Sequence, residues 1–521
     1  MKKIRYIALS LLAIGMMGCE NELVQDLRDR GDTSGDPLPE LTTGSADFSN
    51  YVALGASFTA GFSDGGLFRA GQERSFPKLL SEQFTLAGGG AFTQPLLDEN
   101  TGGILAGGAP TPFGYRLVFG GAGPVPLDLF LASQGAPVPP ITTEAGNNIG
   151  SDFNNFGIPG AKSFHLVTPG YAAFNPYYTR IASSGTSTVL GDALAQSPTF
   201  FTLSEVGGND ILQYATSGGT GVDQTGNIDP STYSTNDITD PNVFAQAFSS
   251  MVTALTQNGA KGVVTNVPDI TSLSHFTTVP HNPIPLDAAT AGFLNSASAY
   301  GAYNAGIVQA FAFLVANTPM TQEMADAEIA KRTITFSAGE GNAVVIMDEN
   351  LTDLTPLNPA LVSMRQATAD DLLVLPASSF IGTEAIPGNP QTVNGVAIPL
   401  ADKWVLTPEE QNAIAMATSA YNSTIVAVAN TNPNVALADL RAVLEQASLS
   451  GYPYDDYVMT TDLVFGGLVS LDGVHLTSRG YGLMAREFLV AIDAAFGSNF
   501  IASGSTPVAA DLPTNYSPTL Q

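Results

Sequence analysis

The sequence is poor in the residues that announce a cross-link or a polyanionic partner. Among 521 residues there is one cysteine, Cys19, so no intramolecular disulfide can form. Lysine and arginine total 19 against 47 acidic residues, a formal charge of −28. A chain this acidic repels nucleic acid and anionic lipid head groups, which excludes both as partners through bulk electrostatics. The apolar stretch Tyr6–Met17 is about a dozen residues, too short to span a bilayer. There are only four histidines, His165, His275, His281 and His475, so the search for a general base is brief. What is present is apolar and loop-forming: 44% hydrophobic and 13% charged residues, with 53 Gly and 34 Pro. That balance excludes a disordered chain and fits a loop-rich, secreted globular protein.

The start, "MKKIRYIALSLLAIGMMGC", joins a basic opening (Lys2, Lys3, Arg5) to the apolar stretch and then Gly18 and Cys19, which reads as an export signal. Its end resembles the bacterial lipoprotein box, with Met16 and Met17 where that pattern prefers Leu and a small residue. The resemblance implies a signal peptide over 1–18, lipidation of Cys19 as the mature N-terminus, and a lipid-anchored place in the bacterial cell envelope, at the outer membrane. Without the three leader cations, 16 basic residues face 47 acidic ones, a charge of −31, so the membrane link must be the lipid itself. Residues 19–46, polar and broken by Gly and Pro, read as a flexible tether. The folded part is expected over 47–500 as one domain, because no composition break marks a second, and residues 501–521 as an irregular tail.

The clearest local unit lies at 199–267. "TFFTLSEV" (199–206) is a short apolar run ending at glycines, as a buried strand does. Asp240 then caps, and Pro241 opens, a helix whose stripe is Val243, Phe244, Ala247, Phe248, Met251, Val252 and Leu255; Gly259 stops it. "GVVTNV" (262–267) is a second buried strand. A helix over 406–430 carries a capping box at Thr407 and Glu410, a strand follows at 434–440, and a last amphipathic helix at 478–496. Strand, helix, strand with uniformly apolar strands predicts an α/β fold with a mostly parallel sheet covered on both faces. One echo stands out: A-Y-N-x-x-I-V occurs at 302–308 and 420–426, each followed by an apolar run ending in Asp ("VVIMD", 344–348; "VALAD", 435–439). Two copies at unequal spacing make no repeat architecture, and chance similarity of helix-plus-strand units is the preferred reading.

Ser57, in "ALGASFTAGF", follows the apolar run "YVAL" (51–54) and so stands at the C-terminal edge of a first strand, where open α/β sheets bind ligands. A serine hydroxyl needs a base, and the usual base is a histidine held by a carboxylate. His475 has Asp472 three residues before it, spaced so that the carboxylate reaches Nδ1–H and leaves Nε2 free. The other three histidines have no carboxylate within four residues on this reading and are expected to be ordinary surface or core residues. Oxyanion donors have candidates in Asn209, within "SEVGGNDIL" at the end of the 199–206 strand, and in the backbone N–H of Gly160 in "NFGIPGAKS".

Taken in order, Gly55-Ala56-Ser57, Gly160, Gly207-Gly208-Asn209-Asp210 and Asp472-Gly473-Val474-His475 resemble the four sequence blocks of the SGNH (GDSL-type) hydrolases over residues 48–497, and the length resembles lipid-anchored lipases and esterases of Gram-negative bacteria. The resemblance implies a flavodoxin-like three-layer α/β/α sandwich with long loop insertions. It also implies Ser57 as nucleophile, Asp472 and His475 as orienter and base, an oxyanion hole from Gly160, Asn209 and the serine's own N–H, and neither metal nor organic cofactor. The family's Asp before the serine is Ala56 here, which questions the turn more than the chemistry. The expected activity is hydrolysis of carboxylic esters, with an acyl lipid or an acetylated glycan as partner. The alternatives are polysaccharide O-deacetylation on the same scaffold and a non-catalytic glycan- or lipid-binding lipoprotein. Long spacings, 103 residues from Ser57 to Gly160 and 263 from Asn209 to Asp472, predict insertions at strand ends that build a lid or rim, with 88–97 and 376–390 as candidate stretches.

Overall fold

The structure, a computed structural model, describes residues 37–520. The expected leader over 1–18, Cys19 and the first part of the expected tether lie outside the described residues.

Five short apolar runs form the central sheet: β1 (Tyr51–Gly55), β2 (Asn155–Gly157), β3 (Phe200–Leu203), β4 (Lys261–Thr265) and β5 (Val435–Ala438). Every pairing is parallel and the spatial order is β2-β1-β3-β4-β5. Nearly all their side chains are buried, which is why the sequence shows continuous apolar runs rather than alternation. Helices cover both faces, the principal ones being α1 (Phe76–Leu86), α2 (Asn209–Thr216), α3 (Pro241–Thr256), α5 (Pro408–Thr431), α6 (Leu440–Leu449) and α7 (Ser478–Phe496), while α4 (Tyr300–Asn317) packs within the insertion between β4 and α5. In one layer α1 packs on α7, with Phe76 stacked on Phe488 at 4.9 Å. In the other α3 packs on α5, with Phe244 stacked on Tyr421 at 4.3 Å. This is a three-layer α/β sandwich in the flavodoxin-like strand order, whose chain reverses direction between β2 and β3 beside β1 and opens a crevice above the strand ends there.

Local sequence signals set the helix ends. Asp240 accepts from the N–H groups of Asn242 and Val243 and caps α3, and the seven residues of the expected stripe are its buried ones. In the first turn of α5, Glu410 accepts from the Thr407 N–H at 2.6 Å. Among the described residues no helix is long and apolar enough to cross a membrane.

The last stretch of the expected tether is held in place. Thr42 N–H donates to the Asn499 side chain, Asn499 donates back to the Glu40 carbonyl, and Ser45 N–H donates to the Phe496 carbonyl at the end of α7. Composition alone missed these contacts because their partners lie more than 450 residues away. The tail beyond 501 has one short turn, Ala509–Asp511, and is otherwise irregular, yet Ala509, Leu512 and Tyr516 are buried against the body.

The A-Y-N echo does not mark a repeat: Val345–Met347 pairs antiparallel with Met364–Gln366, outside the central sheet, while Val435–Ala438 is the sheet's edge. What the two copies share is a local device. Asn304 in α4 accepts from the Ile334 N–H and donates to the Ile334 carbonyl; Asn422 in α5 does the same to Val267.

Candidate active site

The turn that follows β1 carries Ser57 at the start of a single helical turn, Ser57–Ala60. Ser57 is 6% exposed. Its Oγ lies 3.0 Å from His475 Nε2, and His475 Nδ1 lies 2.8 Å from Asp472 Oδ2. Both partners come from the loop that leads into α7, so three residues spread over 419 positions of sequence meet at the C-terminal edge of the sheet.

Asp472 is held by more than the imidazole. Oδ1 accepts from the N–H groups of Val474 and His475 and from Ser470 Oγ; Oδ2 accepts from the Gly65 N–H at 2.8 Å. Burial opposes ionisation, but the imidazole and these amides outweigh it and hold the carboxyl well below its usual range. The D-x-x-H turn needs Gly473: φ is +77°, and a Cβ there would lie 2.7 Å from the His275 backbone nitrogen. His275, expected to be an ordinary residue, is the buried support of this turn. Its N–H donates to the Gly473 carbonyl and its Nδ1 lies 3.2 Å from the Asp472 carbonyl oxygen. His165 is structural, stacked on Tyr171 at 4.3 Å and pushed down to about 4 by burial.

Glu205 is the residue the sequence did not reveal. It follows β3, two residues before the G-G-N-D block, and adopts φ +55°. Its carboxylate accepts from three amides of the serine turn: Ala56 and Thr59 on Oε1 at 2.8 and 2.7 Å, and Phe58 on Oε2 at 2.7 Å. The turn lacks an aspartate at 56, but a carboxylate from the neighbouring strand fastens it. Among residues 56–59 only the Ser57 N–H is left without an acceptor, so it remains available to a ligand in the crevice. Burial pushes Glu205 up to about 7, against the pull of the Thr59, Phe58 and Ala56 hydrogen bonds. The strand-end position was the only signal that could have drawn attention to it.

Asn209 opens α2 and lines the same crevice as Ser57. Its Nδ2 donates to the Ala161 carbonyl at 2.9 Å, which leaves its second N–H for another acceptor. Gly160 sits in the left-handed turn after β2, with φ +78° and its carbonyl taken by Gln213, and is not among the crevice-lining residues. Asp210 binds the Ser163 N–H and hydroxyl and so ties the Gly160 loop to α2.

Beside Ser57 the crevice deepens into a cavity of about 110 Å³, walled by Val267, Ile270, Leu273, Val443, Leu476 and Met484 among others. Neither 88–97 nor 376–390 contributes a lining residue; the wall comes from the segment after β4, from α6, and from 468–484. Those two stretches lie elsewhere, but the long connection from β4 to α5 does supply part of the wall at its start, through Val267, Ile270 and Leu273. Comparison with protein-family models, with curated proteins and with solved structures finds no match to this chain.

Proposed function

We propose that this protein is a serine hydrolase of carboxylic esters of the SGNH (GDSL-type) kind, acting on substrates with an acyl chain longer than acetate. The observation that carries the reading is the relay from Ser57 Oγ to His475 Nε2 and from His475 Nδ1 to Asp472. In this mechanism His475 Nε2 removes the Ser57 proton as Oγ attacks the ester carbonyl. The carbonyl oxygen gains charge and is met by the free Ser57 N–H and the Asn209 amide. His475 then returns the proton to the leaving alcohol, and water repeats the sequence on the acyl-enzyme. Asp472, accepting from Nδ1–H, keeps the imidazole in the tautomer that leaves Nε2 basic. No step calls for a metal or organic cofactor.

The apolar wall beside Ser57 favours an acyl chain over an acetyl group on a sugar, since a glycan needs polar partners that this wall lacks. In the same reading the chain is exported and lipid-anchored through Cys19, which metabolic labelling with a fatty acid would detect and Cys19→Ala would abolish.

The test pairs labelling with a substrate series. A fluorophosphonate should modify Ser57, and Ser57→Ala should lose both label and turnover while unfolding at the wild-type temperature. Butyrate and octanoate esters should be cleaved faster than acetate esters or acetylated xylan. Folded protein that takes no label and cleaves none of these would sink the reading, and release of acetate from xylan alone would turn it to glycan deacetylation.

A further inference from the structure

Three carboxylates converge away from the crevice, where the insertion between β4 and α5 meets the body. Glu349 follows the strand Val345–Met347, Asp402 opens the turn Asp402–Trp404, and Glu410 lies in the first turn of α5. One oxygen of each lies within 4.8 Å of the other two. Among the described residues no cationic side chain pairs with any of them: Lys403 Nζ stands over the Trp404 ring, and Arg365 is taken by Asp348 and Asp371.

Acidity alone would leave this a repulsive patch, but two enclosed oxygens point to a ligand. Glu410 is 4% exposed; its Oε2 is engaged by Thr407, while its Oε1 is enclosed without any hydrogen-bond partner. Asp402 Oδ1 is enclosed and unpartnered in the same way. Buried acceptors that have lost water and gained no donor are costly and call for a partner. The adjoining loop packs its backbone closely against these groups, at two left-handed positions that only glycine fits. A Cβ at Gly219 would lie 1.8 Å from Glu410 Oε1, and one at Gly218 would lie 2.4 Å from the Asp402 carbonyl oxygen.

We propose that Glu349, Asp402 and Glu410 form a calcium site. All the donors are oxygen, which selects a hard cation over zinc or copper. Two oxygens on opposite sides of a calcium ion stand roughly 4.8 Å apart, and its six to eight ligands can include backbone carbonyls and water. Magnesium demands a tighter octahedron and fits three converging carboxylates less well. The bound ion would fasten the insertion, through Glu349, to the N-terminus of α5, the helix whose Asn422 grips Val267 in the crevice wall.

The full chain reports on this site directly, because its single tryptophan, Trp404, stands two residues from Asp402. Terbium added to chelator-treated protein should show tryptophan-sensitised emission that calcium competes away, and calcium at ~5 mM should raise Tm by a few degrees over chelator. Glu349 is exposed, so Glu349→Gln should fold normally and still lose most of the emission and of the Tm shift; Asp402→Asn should do the same. Ser57→Ala should respond as wild type does, which keeps this test separate from that of the hydrolase reading. The assignment is overturned by an absence of any calcium-dependent Tm shift, by an undiminished response in both carboxamide variants, or by an equal shift with magnesium at the same concentration.

Discussion

In the central sheet, β3 is paired to β1 on one side and to β4 on the other, so its backbone groups are satisfied by the ladder and its side chains can be wholly apolar. The insertion over residues 278–404 has no such ladder. Its strands are two to four residues long and come in isolated antiparallel pairs. Side chains complete the pairing there: Asn304 clasps Ile334, Asn295 clasps Phe336, Tyr300 Oη donates to the Val396 carbonyl, and Tyr303 Oη to that of Met364. Charge is buried there as well, with Arg365 bridging Asp348 and Asp371 at 2.6 and 2.7 Å. The difference teaches that a region without a sheet keeps its backbone satisfied only by spending polar side chains in its core, and that its stability then rests on single residues.

The comparison can be broken first at its catalytic side. On the hydrolase reading, Asp472→Asn should cut kcat on the order of 10⁴-fold, as expected when the imidazole loses its orienting carboxylate, while the protein folds with a lowered denaturation midpoint. In the insertion, Arg365→Met should cost about 3–5 kcal/mol by leaving Asp348 and Asp371 buried without a counter-charge, read as a fall in the denaturation midpoint while esterase kcat per folded molecule holds. A pair of substitutions sharpens the contrast. Asn304→Ala and Asn422→Ala should each cost about 1–3 kcal/mol, since each strips one residue's N–H and C=O of their partner. Only Asn422→Ala should also alter acyl-chain preference, because only Val267 lines the crevice.

A pH-dependent effect concerns Glu205. Its folded-state pKa is raised to about 7, so the folded protein holds this proton more tightly than the unfolded chain does. Its contribution to stability is therefore complete below about pH 4.5 and is lost as the pH rises through 7. Glu205→Gln should flatten that decline by on the order of 1–3 kcal/mol in denaturant titrations across the window, and should lower kcat more than it alters KM. An unchanged slope would remove Glu205 as the titrating fastener of the serine turn.

Much of the sheet was legible because its signals are local. The helix over Ser478–Phe496, the α3 stripe and the apolar strands follow from periodicity and caps within one window of sequence. The D-x-x-H spacing likewise put Asp472 and His475 together, since three residues suffice for the contact. What stayed hidden depends on residues far apart in the chain. Glu205 acts across two strands, His275 supports a turn 197 residues away, and the crevice wall is assembled from loop segments without period. The A-Y-N motif was visible as a pattern, but its purpose, a side chain standing in for a strand partner, appears only once Ile334 and Val267 are in place.

The contacts of residues 40–45 with the end of α7 have an orientational consequence. α7 starts beside His475, at the serine edge of the sheet, and ends at Phe496, where Lys261 at the start of β4 also binds Ser45. Its 19 residues span roughly 28 Å. Residues 40–45 are thus fastened at the pole of the body opposite Ser57, about one helix length from the serine edge of the sheet.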